Sequence, residues 1–217
     1  KKIILSSIAQ IYIEKDIINF LRVENVNGFN ALLKISAEQV GNMLNAHELS
    51  NTLGLSANSV KKYLEILVGT YVLELVRPFS TNLRVEITKM PKVYVLDLGL
   101  RNYVLRSWDL ANTETGPSVE NFVYLTLCAR YSPERIHFYR TISGAEIDFV
   151  LEEDDGRVTL CEVKYQQKIS GVPVAMRNME ERYGDKVKRK IIITRRTLLR
   201  DKQVTYIPAV LLPFVEL

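Results

Sequence analysis

The sequence predicts an α+β fold, helical at first and α/β later, and three observations carry that expectation. From Tyr12 to Leu44 the apolar residues Ile13, Ile17, Phe20 and Leu21, then Leu32, Leu33, Ile35, Val40 and Leu44, recur every three or four positions. That is the period of helices with one buried face. Between Ala46 and Phe79 two short helical patterns meet at Gly54 and give way to strand-like runs. Beyond Gly116 the order helix, three strands, helix, two strands is that of an α/β domain.

Residues 1–45 read as two or three short helices, with a break expected at Gly28 in "VNGFN". Residues 46–105 read as a winged helix-turn-helix. The first helix ends at Gly54, and Ser56 caps a second that runs through Leu67. Leu49, Leu53, Leu55, Val60, Leu64 and Leu67 form one apolar seam, which leaves Asn58, Ser59, Lys61, Lys62 and Glu65 on the other face. "YVLELVRPF" and "KVYVLDLGL" are expected strands, and the basic "STNLRVEITKMP" between them has the size of a hairpin wing. Asn58, Ser59, Lys61, Lys62 and Arg84 are the candidate DNA contacts. Arg77, Lys89 and Lys92 add positive charge around them, while Glu65 and Glu74 subtract from it. Winged helices also bind proteins, so the partner is a nucleic acid, DNA first, or else a protein or a second copy of the chain.

Residues 106–117 lack periodicity and are rich in Asn, Thr, Gly and Pro, as a linker is; Trp108 within them is expected to fill a gap between domains. Residues 118–217 form the α/β domain. Its helices are expected over Val119–Tyr131 and Pro173–Tyr183, and its strands over Ile136–Tyr139, Glu146–Leu151, Val158–Val163, Lys190–Thr194 and Val204–Ile207. Asp155 and Gly156 supply the turn that makes the second and third strands a hairpin.

Composition narrows the class. The 217 residues are 47% hydrophobic and 25% charged, which is ordinary globular usage. No apolar run reaches the roughly 20 residues of a membrane helix, so no membrane partner is expected. Cys128, Cys161, His47 and His137 give neither a disulfide framework nor a zinc spacing, which suits a reducing cytoplasm. The opening "KKIILSSIAQ" has no initiator Met and no cleavage site, and the chain is expected to be a piece of a longer protein. A net charge of +4 and a basic segment from Lys186 to Lys202 offer either a solvated face or a phosphate track.

The chemistry concentrates in "GAEIDFVLEEDDGRVTLCEVKY". Alternation along a strand puts Glu162 and Lys164 on one face, and the hairpin brings Asp148 opposite them. Buried charges need a partner or a metal. Two carboxylates, the Val163 carbonyl and waters are hard oxygen ligands for Mg²⁺ or Mn²⁺, and an adjacent lysine orients water or balances phosphate charge. A cross-strand ion pair gives the same pattern. Glu146 is read as a supporting or surface partner, Glu152 to Asp155 as a solvated turn, and His137 as a strand histidine; no nucleophile motif is present.

Asp148 followed by Glu162, Val163 and Lys164 resembles the D...(D/E)XK signature of the restriction-endonuclease-like superfamily, and the element order is similar too. That resemblance implies a PD-(D/E)XK domain in which Glu120, from "GPSVENFVYLTL", assists Asp148, Glu162 and Lys164 in catalysis. "YIEKDI", "ELSNTLGLSANSVKKYLEIL", "PKVYVLDLGLRNYVL", "ENFVYLTL", "YRTISGAEIDFVL" and "CEVKY" resemble, in this order, the C-terminal part of a prokaryotic AAA-type ATPase family with a DUF4143-type domain. Lys15 stands where that family has arginine. The resemblance implies a preceding ATPase module; this chain has no G-x-x-x-x-G-K-[ST], so ATP would bind only there. Two functions follow: a Mg²⁺-dependent nuclease with a DNA-holding winged helix, or a catalytically silent binding and assembly module.

Overall fold

A computed structural model of the chain describes residues 2–19, 21, 23–80, 89–108, 116–141, 143–166, 171–201 and 204–215. Two compact units emerge, Lys1–Leu75 with Met90–Asn121 and Val76–Lys89 with Phe122–Leu217. Helix and strand both contribute, as an α+β fold requires. Among the described residues no helix is long and apolar enough to cross a membrane. Phe20, Arg84, Lys202 and residues 109–115 of the expected linker lie outside the described residues.

The N-terminal unit begins with α1 (Lys2–Ile11), which passes into a π-helical stretch over Tyr12–Asn19. Helix α2 (Val26–Glu38) starts at Asn25, whose Oδ1 accepts a hydrogen bond from the Gly28 N–H at 2.8 Å. It runs straight through Gly28, where a break was expected. A Cβ at Gly28 would lie 2.8 Å from Leu55 Cδ2, the tip of a side chain that can turn aside.

Helices α3 (Ala46–Leu53) and α4 (Ala57–Gly69) follow the sequence closely. Gly54 adopts the left-handed conformation, φ +62°, that ends a helix at low steric cost, and Ser56 Oγ accepts from Ser59 N at 3.0 Å. Leu49, Val60, Leu64 and Leu67 are buried, and Phe29 meets Tyr63 edge to face with centroids 5.5 Å apart. Strands β1 (Leu73–Val76) and β2 (Lys92–Val95) pair. The strand expected over "KVYVLDLGL" stops early, because Asp97 Oδ1 accepts from Leu100 N at 2.6 Å and starts α5 (Leu98–Val104). Helix α6 (Gly116–Cys128) is tied to β2 by Asn121, whose Oδ1 accepts from Val95 N at 2.9 Å and whose Nδ2 donates to Val95 O at 2.8 Å. One side chain thus replaces a missing strand neighbour.

The C-terminal unit is a six-stranded mixed sheet in the order β3-β4-β5-β6-β8-β7. Its strands are β3 (Ile136–Arg140), β4 (Glu146–Glu152), β5 (Val158–Lys164), β6 (Val187–Thr194), β7 (Leu199–Arg200) and β8 (Thr205–Pro208). The first three form an antiparallel meander, and helix α7 (Val174–Tyr183) is the crossover that lets β6 lie parallel to β5. Tyr124 of α6 stacks on Phe149 on one face of the sheet, with centroids 6.2 Å apart. Val150, Val158 and Leu160 pack with Ala175, Met176 and Met179 of α7 in another core cluster. Each element expected from Val119 onward is present within a few residues. The two-residue β7 and the short 3-10 segments over Pro133–Arg135, Gly184–Lys186 and Ala209–Phe214 had no expected counterpart.

Candidate functional site

The β4–β5 register pairs Phe149 with Cys161 and continues to Glu152 with Val158, so the next cross-strand neighbours are Asp148 and Glu162. There side chains take over from the backbone ladder. Glu162 Oε2 accepts from Asp148 N at 3.2 Å, and Asp148 Oδ2 accepts from Val163 N at 2.8 Å. The N–H and C=O of one strand residue point to the same edge, so the Val163 carbonyl is directed toward β4, as its N–H is. Lys164 lies two residues beyond Glu162 on the same face, with Nζ 2.6 Å from Glu162 Oε1. The structure therefore brings Asp148, Glu162, Val163 and Lys164 together.

Burial separates their roles. The Glu162 side chain is 5% exposed and that of Lys164 37%, so the carboxylate is enclosed while the ammonium reaches solvent. Burial first, and the negative charge of Asp148 second, push the Glu162 carboxyl up to about 7, against the opposing pull of Lys164. This donor set fits a hard divalent cation: two carboxylates and a carbonyl oxygen, with an excess of negative charge that Lys164 does not fully relieve. Among the described residues no group of three or more His, Cys, Asp or Glu side chains is placed to hold a metal.

The raised Glu162 has a consequence for stability in the metal-free chain. From its ordinary value of 4.5 up to about 7 the unfolded carboxyl has lost its proton while the folded one keeps it. The unfolded state binds fewer protons in that window, so stability falls as pH rises through it, by on the order of 3 kcal/mol. Urea unfolding of Glu162→Gln between pH 5 and 8 is expected to lose most of this slope. An unaltered slope would assign it to another group.

Glu120 belongs to the N-terminal unit, where its Oε1 accepts from Tyr94 Oη at 2.6 Å and lies 3.1 Å from Lys92 Nζ. Lys92 is 1% exposed, so it is not one of the surface cations around the helix-turn-helix that the sequence suggested. On α4, Asn58 and Lys61 are exposed. Ser59 is engaged in the cap with Ser56, and Lys62 meets Glu24 at 3.2 Å.

Other charges of the hairpin and the basic segment have partners of their own. Glu146 pairs with Arg140 at 3.0 Å, across the β3–β4 ladder. Glu153 is more than part of a solvated turn: it accepts from Thr159 Oγ1 at 2.5 Å, Lys188 Nζ at 3.0 Å and Tyr131 Oη at 3.2 Å. Burial works to raise the Glu153 carboxyl, and the Thr159 and Lys188 hydrogen bonds outweigh it and hold the group below its ordinary value. Burial, then the Glu153 charge, push the Tyr131 phenol up to about 12. In the basic segment Lys190 is buried against Glu180 at 2.6 Å, which takes it off any solvated face or phosphate track. Neither the Glu153 network nor the Lys190 pair had a local signal, because Lys188 and Tyr131 for the one and Glu180 for the other come from other elements of the fold. Cys161 is buried on the opposite side of β5 from Glu162, and burial pushes its thiol up, which leaves no reactive thiolate there.

Residues 1–110 match the family model "Domain of unknown function (DUF8612)", and residues 115–212 match "Domain of unknown function (DUF4143)". An uncharacterized protein of Mycobacterium tuberculosis is 30% identical over 52% of this chain and 26% of its own length. An uncharacterized protein of Haemophilus influenzae is 24% identical over 80% of this chain and 42% of its own length. The chain thus spans less than half of the curated relatives it matches. A solved structure, protein VC1899 from Vibrio cholerae, aligns over 87% of this chain and 55% of its own, with 14% identity and a TM-score of 0.28.

Proposed function

The chain belongs to the DUF8612 family and carries a DUF4143 domain in its C-terminal half, and from that premise we propose that it is the C-terminal part of an AAA-type ATPase with a PD-(D/E)XK nuclease-like domain. The observation that carries the reading is the meeting of Asp148, Glu162, the Val163 backbone and Lys164 at one end of the β4–β5 hairpin. The order α6, antiparallel meander, α7, parallel strand supports it.

Asp148, Glu162 and the Val163 carbonyl would hold Mg²⁺ or Mn²⁺. A divalent cation there supplies Lewis acidity toward a phosphoryl oxygen and lowers the pKa of bound water. Lys164, partly in solvent, balances charge on the phosphate or orients the attacking water. Enclosure of Glu162 keeps bulk water from competing for its oxygens. Incubating the chain with linear, branched and single-stranded DNA and with RNA, in Mg²⁺ or Mn²⁺, tests this; cleavage that needs the metal supports it, and no cleavage of any substrate overturns it.

In this reading α3 and α4 form a winged helix that holds DNA through Asn58, Lys61 and Lys62, with Ser59 fixing the helix start; Arg84 keeps its proposed role from the sequence alone. Glu substitution at Lys61 and Lys62 together is expected to weaken DNA binding and to lower the slope of log affinity against log salt by about 0.9 for each phosphate that the variant no longer neutralises. Unchanged affinity and slope in a filter-binding titration would remove this face from the DNA surface. One observation favours the second reading, a silent binding and assembly module: Lys164 closes on Glu162 and Val163 N–H on Asp148, which is also how a self-satisfied ion-pair network looks.

A further inference from the structure

A cavity of about 650 Å³ in the N-terminal unit lies among α1, the π-helical stretch, α2 and the end of α5. Its size falls within the ~300–1,000 Å³ of small-ligand sites. Trp108 and Tyr103 supply flat aromatic walls, and Lys34 and Arg106 line it with positive charge. Neither cation has an ion-pair partner among the described residues, in contrast to the paired Lys62, Lys92, Lys188 and Lys190 elsewhere. Asn30 adds a side-chain amide to the wall, and Gln10 adds another whose Nε2 donates to Glu14 Oε1 at 3.1 Å, Glu14 being the one carboxylate of the lining.

Arg106 is the informative residue. It follows α5 with φ +53°, and its N–H donates to Tyr103 O at 3.1 Å while Ser107 N donates to Asn102 O at 3.0 Å. This is the left-handed helix ending that glycine makes without strain and that the β-carbon of arginine makes costly. Strained backbone at a non-glycine position is found preferentially at ligand sites. Arg106 thus lines a cavity that Trp108, the only tryptophan of the chain, lines as well.

We infer that this cavity binds a purine mononucleotide, with the base on Trp108 and Tyr103 and the phosphate on Lys34 and Arg106. Aromatic side chains stack bases, cations bind phosphate with charge-assisted hydrogen bonds, and a side-chain amide pairs with the edge of a purine through a donor and an acceptor together. The site is independent of the Asp148 and Glu162 cluster and of any P-loop.

Since Trp108 is the sole tryptophan, its fluorescence reports the cavity directly. Titration of the 217-residue chain with AMP and GMP, beside CMP, adenosine and inorganic pyrophosphate, is expected to give a saturable change for the purine nucleotides, with calorimetry giving the same affinity. Arg106→Gly, which relieves the backbone and removes the guanidinium, is expected to weaken binding at least about tenfold while circular dichroism stays unchanged; Lys34→Gln, on a helix surface, does the same. The inference is overturned if no purine nucleotide binds in the millimolar range, if both variants bind as the parent does, or if pyrophosphate binds as tightly as AMP.

Discussion

Asp148→Ala is expected to lower metal-dependent cleavage by on the order of a thousandfold, the several kcal/mol of transition-state stabilisation that a positioned divalent cation provides. Asp148 accepts the Val163 N–H and lies across from Glu162, so its loss removes one ligand and loosens the strand that carries the other. Lys164→Ala keeps both carboxylates, and its cost falls in the roughly 10²–10⁴-fold range of a group that moves protons or stabilises developing charge. Measured together on one substrate, the pair separates metal retention from charge stabilisation. Equal cutting by parent and variants would place any cleavage elsewhere.

Glu120→Ala is expected to destabilise the N-terminal unit by about 3–5 kcal/mol, read as a shift in the urea midpoint. The Lys92 ammonium is 1% exposed, so removing Glu120 takes a counter-charge from a buried cation and a hydrogen-bond acceptor from Tyr94 Oη at once. The double change Lys92→Met with Glu120→Leu is expected to recover most of the loss, since an apolar pair of similar volume has no charge to bury. Full stability in Glu120→Ala combined with lost cleavage would instead assign this carboxylate to the metal chemistry that the family resemblance implies for it.

The parts of the fold that were legible in the sequence are those fixed by neighbours along the chain. Gly54 and Ser56 announce the turn between α3 and α4 through their own conformational and capping preferences. The period-two alternation of β4 and β5, with a turn at Asp155 and Gly156, suffices to place Asp148 opposite Glu162 and Lys164 beside it. What could not be read depends on distant partners. Lys92 looked like a surface cation because its counter-ion is 28 positions away. Glu153 looked like part of a solvated turn because Lys188 is 35 positions away. Helix α5 was hidden inside an apolar run that Asp97 interrupts by capping rather than by composition. At Gly28 the helix continues because Asn25 caps it three residues earlier, with the Gly28 N–H as the donor.

Calorimetric titration with Mn²⁺ distinguishes a cation site at Asp148 and Glu162 from a closed ion pair. The parent chain is expected to take up Mn²⁺ at one saturable site and to release protons as it does so at pH 7, where the Glu162 carboxyl is part protonated. Asp148→Ala and Glu162→Gln are expected to lose that site. No saturable Mn²⁺ binding by the parent, or binding that both variants keep, would rule out a cation site and leave the hairpin charges as a structural network.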